Sequence, residues 1–178
     1  MAFTVIHDET LSSNGGSELW KTGISGDYTH LRICFSVRST YNSRLDNLKI
    51  RVNSSSTTSH YKGTHLFAAS GSLACFRYTT HNGINLESMP GATTSASGHF
   101  GSGEIWIMDY SNNARYKQIM IDYGMNSDSA SDWYWTGGMV AGIYTQNRDP
   151  IGAVGLRLNS GSFQANTQWT IYGMTGAS

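Results

Sequence analysis

Carboxylates are the first place to look for chemistry, because cleaving a glycosidic bond takes two of them across a cleft, roughly 5–9.5 Å apart. Glu104 and Asp109 share one apolar stretch. On an extended segment their spacing sends them to opposite faces, so they cannot form that pair. The remaining acids stand singly on turn-like stretches, and the chain reads as a non-enzyme. Asn126, Ser127, Asp128 and Asp132 make an oxygen-rich run of the kind calcium uses. Without the spacing of a calcium loop it reads as a polar turn, and no metal or other cofactor is expected. Of the six histidines, His60 and His65 fall on opposite faces of one strand and the others stand alone. They read as surface or partly buried polar residues. No serine sits in G-x-S-x-G between a strand and a helix.

The aromatic run Trp133, Tyr134, Trp135 is the most suggestive cluster. Rings beside Asp and Asn stack on sugar faces, but they also serve as core plugs and interface anchors. In a chain with five tryptophans the core or interface reading is preferred and glycan contact is the alternative.

The elements that must position these residues read as short strands. Asp149-Pro150 stops the chain before its end, since proline has no N–H for a ladder. Val154, Leu156 and Leu158 then alternate with Arg157, and Thr167 to Met174 carries bulk on both faces. Upstream, Leu31, Ile33, Phe35 and Val37 mark a long strand from Tyr28 to Arg38. Leu48, Ile50 and Val52 mark another, with Lys49 and Arg51 as its basic outer face. Further strands are expected at Phe3 to His7, Glu18 to Thr22, Tyr61 to Ala69, Leu73 to Thr79, Glu104 to Tyr110, Arg115 to Tyr123 and Met139 to Tyr144. Asn53 to Ser59, His81 to Gly103 and Gly124 to Gly138 read as loops. No stretch carries a helical stripe. The expectation is all-β: a single antiparallel β-sandwich over residues 1–178, jelly-roll-like, with little or no helix. Phe3 to His7 supports either an edge strand or an arm, and residues 1–16 read as an N-terminal arm.

Composition narrows the partners. Charged residues are 13% of the chain, about half the ~25% of an ordinary soluble domain. Twelve basic and twelve acidic side chains cancel, so nothing draws the chain to phosphate backbones and nucleic acid is not an expected partner. No run approaches the ~20 apolar residues of a membrane span, and the N-terminus reads as part of the mature protein. Cys34 and Cys75 read as buried free thiols made in a reducing cytoplasm.

The order of several motifs resembles a known group. Tyr28-Thr29-His30-Leu31-Arg32-Ile33, Ser36-Val37-Arg38-Ser39, Leu48 to Asn53 and Tyr61 follow a "Y-x-x-L-x-L…R-S…L-x-I-R-x-N-x-D…Y" order. Gly161-Ser162-Phe163, Thr167 and Ile171-Tyr172-Gly173 close the chain in the manner of G-x-F-x-x-x-T-x-x-x-L-Y-G. Both patterns resemble β-sandwich modules of tailed-phage structural proteins: capsid decoration (cement) proteins, including those of short-tailed cyanophages, and distal tail-spike modules. Ser54-Ser55-Ser56 stands where those modules carry an aspartate. The resemblance implies a homotrimer on the outer capsid surface of a virion, made in the host cytoplasm, with the major capsid protein as partner. Phe3, Val5 and Ile6 would then belong to a capsid-contact segment. Host-surface glycan, held by Trp133, Tyr134 and Trp135, is the alternative partner.

Overall fold

The computed structural model describes residues 2–69, 71–90, 98–129 and 132–175; the side chains of 87–90, 127–129 and 132–134 lie outside that description. Its strands are β1 (Ala2–Thr10), β2 (Glu18–Thr22), β3 (His30–Val37), β4 (Leu45–Val52), β5 (Tyr61–Ala69) and β6 (Ser72–His81). They continue with β7 (Ile84–Pro90), β8 (Gly101–Met108), β9 (Lys117–Ser129), β10 (Asp132–Tyr144), β11 (Ala153–Leu158) and β12 (Gln168–Thr175). Helix among the described residues is confined to a single 3₁₀ turn at Thr58–His60.

The strands form two antiparallel sheets packed as a sandwich, as the alternation predicts. One has eight strands in the order β1-β12-β3-β8-β9-β10-β5-β6, and the other has four in the order β2-β11-β4-β7. Leu31, Ile33, Phe35 and Val37 of β3 face Leu48, Ile50 and Val52 of the small sheet in one core. On β8, whose sequence is apolar on both faces, Ile105 and Ile107 are buried and Trp106 projects outward. The sheets approach closely at Gly142, where a Cβ would fall 2.5 Å from the Ile84 side chain. Glycine there lets β7 pack over β9, β10 and β5 without displacing the Ile84 side chain.

Two segments read as loops are strands. Residues 81–103 contain β7, which pairs with β4. Its described apolar residues, Ile84 and Leu86, are too few to stand out in a Gly- and Ser-rich run, and only β4 supplies the partner that makes them a strand. Residues 124–129 and 132–138 continue β9 and β10 as a two-stranded ribbon, paired from Gly124↔Gly137 to Ser129↔Asp132. There the ladder is satisfied by the partner strand and needs no apolar alternation.

The motif residues make structural contacts. The Tyr28 ring lies on Gly173, where a Cβ would fall 2.4 Å from its Cγ, so the opening tyrosine and the closing Y-G are one contact. Asn53, in the left-handed region at φ 49°, accepts hydrogen bonds from the N–H groups of Gly152 and Ala153 at 2.9 and 3.3 Å and donates to the Pro150 carbonyl at 3.1 Å. Asp46 is buried, accepting from the Ser39 hydroxyl at 2.7 Å and the N–H groups of Ser160 and Gly161 at 3.1 and 2.9 Å. That carboxylate ties the turn before β4 to the turn after β11.

The expected basic outer face of β4 is covered. Arg51 is buried, donates to Glu18 at 2.8 Å and to the Ser55 carbonyl at 2.9 Å, and stacks over Trp20. Arg157 joins the same Glu18 at 3.1 Å.

Candidate outer-face site

The alternation that sends one set of side chains into the core sends the other onto the outer face of the eight-stranded sheet. Register aligns them in rows. One runs Val5, Tyr172, Arg32, Trp106, Met120, Ala141, Thr64, Arg77. The next runs Asp8, Thr170, Cys34, Glu104, Asp122, Met139, Leu66, Cys75. Several apolar members stand in solvent: Val5 is 58% exposed, Met139 55%, Met120 49% and Leu66 44%.

Near the middle, Arg32 clamps Glu104. Its Nε and Nη2 donate to Oε2 at 2.8 and 2.5 Å, while Trp106 Nε1 donates to Oε1 at 3.0 Å. The Trp106 bond, then the guanidinium, hold the Glu104 carboxyl below its usual range. Arg32 also lies 5.5 Å from the centre of the Trp106 ring and 6.0 Å from that of Phe3. Asp122 stands directly opposite Glu104, which puts their Cβ atoms ~4.5–5.5 Å apart. Sequence reasoning tested Glu104 against Asp109 and missed this pair, because only strand register brings β8 and β9 together. A general acid for glycoside cleavage needs its pKa raised, and Glu104 is driven the other way. Its two oxygens act as the anchor of an ion-pair and stacking cluster.

Beside this cluster the sheet opens into a groove of about 500 Å³ over β9, β10, β5 and β6. Small residues make its floor, Ala141 and Thr64, because their neighbours in the row, Met120 and Arg77, rise on either side. Lys62, Thr79, Gln118 and Ile143 complete the wall, and none of the lining residues is acidic. No ion pair among the described residues involves Lys62 or Arg77.

Trp135 lies on the same outward-facing set of β10, 48% exposed and opposite Asn126. Trp133 and Tyr134 pair through their backbones with Asp128 and Ser127, and their side chains lie outside the described part of the structure. The run Asn126, Ser127, Asp128 and Asp132 belongs to the β9–β10 ribbon and forms no loop. Among the described residues no group of three or more His, Cys, Asp or Glu side chains is placed to hold a metal ion, and no helix is long and apolar enough to cross a membrane.

At the sheet's edge, Ala2–Thr10 is a strand along β12, with Phe3 and Val5 exposed and Ile6 partly buried against the core. The Phe3 ring meets Tyr172 edge-on, 6.3 Å between centres. Both cysteines are free, but they are not buried: Cys34 is half-buried and Cys75 exposed. They sit in one row with β8, β9, β10 and β5 between them, about 24 Å at the usual strand spacing, too far to pair. His65 was missed as well. It is fully buried, not superficial, with Nε2 2.7 Å from the Tyr123 hydroxyl and no partner at Nδ1. Comparisons of the chain with protein-family models, curated proteins and solved structures returned no match.

Proposed function

We propose that this chain is a non-enzymatic virion protein, a trimeric decoration protein that sits on the outer surface of a tailed-phage capsid and bridges its major capsid subunits. The observation that carries the reading is the β1 edge. Half of it is guarded against pairing, by the bulge between Val5 and His7 and by Asp8 and Glu9. The other half, Ala2 to Val5, has an open ladder and two exposed apolar side chains, Phe3 and Val5. Such an edge suits burial against another protein. The motif order supplies the viral assignment, through its resemblance to decoration modules. Attachment would rest on area, with three modest contacts around a three-fold axis acting together.

Reconstitution tests it. Added to capsid shells that lack it, the purified chain should co-sediment in fixed proportion, and Val5→Lys should abolish attachment while leaving the fold intact. Light scattering should give the mass of three chains at micromolar concentration. A monomer would refute the trimer, and shells that pellet without the chain would refute decoration.

A further inference from the structure

We infer that the groove over β9, β10, β5 and β6 is a binding site for an acidic saccharide, one that carries carboxylates on a polyhydroxylated ring. This goes beyond the assembly reading and lies on the opposite half of the sheet, five strands from the β1 edge, or about 24 Å. The lining chooses the ligand. Arg77 and Lys62 stand on adjacent strands, Arg77 opposite Thr64 and Lys62 two residues before it, so two cations share one wall. Like charges so placed repel, and a carboxylate between them removes the repulsion. No acid lines the groove to do this from within the chain.

A bare anion leaves most of the space empty, since about 500 Å³ falls in the range of small-ligand sites. An aliphatic carboxylate fills it but displaces water from exposed Thr64, Thr79 and Gln118 without replacing the lost hydrogen bonds. A sugar acid satisfies both sets: its hydroxyls reach those polar groups, while its apolar ring face lies on Ala141 and Met120. The groove is also extendable. Met139 and Trp135 continue the outward set of β10 beyond Ala141, and Trp135 lies about 20 Å along the strand at ~3.3 Å per residue. A polymer running along β10 would end on that indole.

The experiment is an amide-shift titration of the full chain with galacturonate oligomers of two and six units, against neutral galactose oligomers of the same lengths. The acidic oligomers should shift amides of β5, β6 and β10, and Arg77→Gln should weaken them roughly tenfold through loss of a charge-assisted pair. Trp135→Ala should weaken the six-unit oligomer and leave the two-unit one unchanged. Lys21→Gln, on β2 of the four-stranded sheet, should change neither. Equal binding of neutral and acidic sugars, binding insensitive to Arg77→Gln, a preference for oligonucleotides over sugars, or no shifts at millimolar ligand would each overturn the assignment. Trimer mass and capsid attachment are measured without sugar, so failure here is distinct from failure there.

Discussion

His65 makes the stability of this sandwich depend on mildly acidic pH. Its ring is fully buried among Phe67, Phe76 and Tyr123, with centroids 5.2, 5.1 and 5.6 Å away, and burial pushes its pKa from 6.5 down to about 4. The fold therefore holds the neutral ring. Above pH 6.5 neither state takes the proton and the contribution is complete. Between pH 6.5 and 4 the unfolded chain binds a proton that the native chain refuses, so stability falls by about 1.4 kcal/mol per pH unit.

Over the interval from pH 7.5 to 4.5 this sums to ~2.5 kcal/mol. Carboxylates and the other histidines titrate in the same range, so the quantity to measure is a difference. Urea unfolding of wild type and His65→Phe should be followed at several pH values. Phenylalanine keeps the ring contacts and loses the bond to Tyr123, which lowers stability by about 1–2 kcal/mol near neutrality. On acidification the two curves should converge and then cross between about pH 6 and about pH 5. Curves that stay parallel from pH 7.5 to 4.5 would refute the claim that the buried ring refuses its proton.

Lys117 is fully buried and donates to the carbonyls of Asn112, Arg115 and Arg148. Lys117→Met strands all three and should lower unfolding free energy by about 3 kcal/mol in urea melts. Gly103→Ala puts a Cβ 2.4 Å from the Asp122 carbonyl oxygen and 2.8 Å from the Phe35 ring. The β8–β9 ladder must shift, and a loss of about 3 kcal/mol, read as a lower melting temperature, is expected. Iodoacetamide followed by mass spectrometry should label exposed Cys75 roughly tenfold faster than Cys34, which is half-buried and whose thiol pKa is raised by burial.

Side-chain alternation made the core strands legible. Leu31 to Val37 and Leu48 to Val52 bury the residues their period assigns, and β2 and β5 begin and end where composition places them. Pairing partners were not legible, and most of what sequence reading missed depends on them. Ile84 and Leu86 become a strand only against β4; residues 124 to 129 become one only against β10. The groove was invisible for the same reason, since Ala141, Thr64 and Arg77 come from three strands and meet only through register. His65 shows a different limit. A histidine among Thr64, Leu66 and Phe67 carries no mark of burial until Tyr123 is placed against it.

The two halves of the outer face differ in how their cations are treated, and this separates structure from binding. Arg32 is spent internally: it holds Glu104, faces two aromatic rings and joins β3 to β8. Arg77 and Lys62 have the same sheet beneath them and no such partner among the described residues. The chain has no overall charge to explain the surplus, since twelve basic and twelve acidic side chains balance. The local excess of donors over a small-residue floor is what the proposed acidic saccharide would neutralise, and departures from local consistency of this kind concentrate at functional or strained sites.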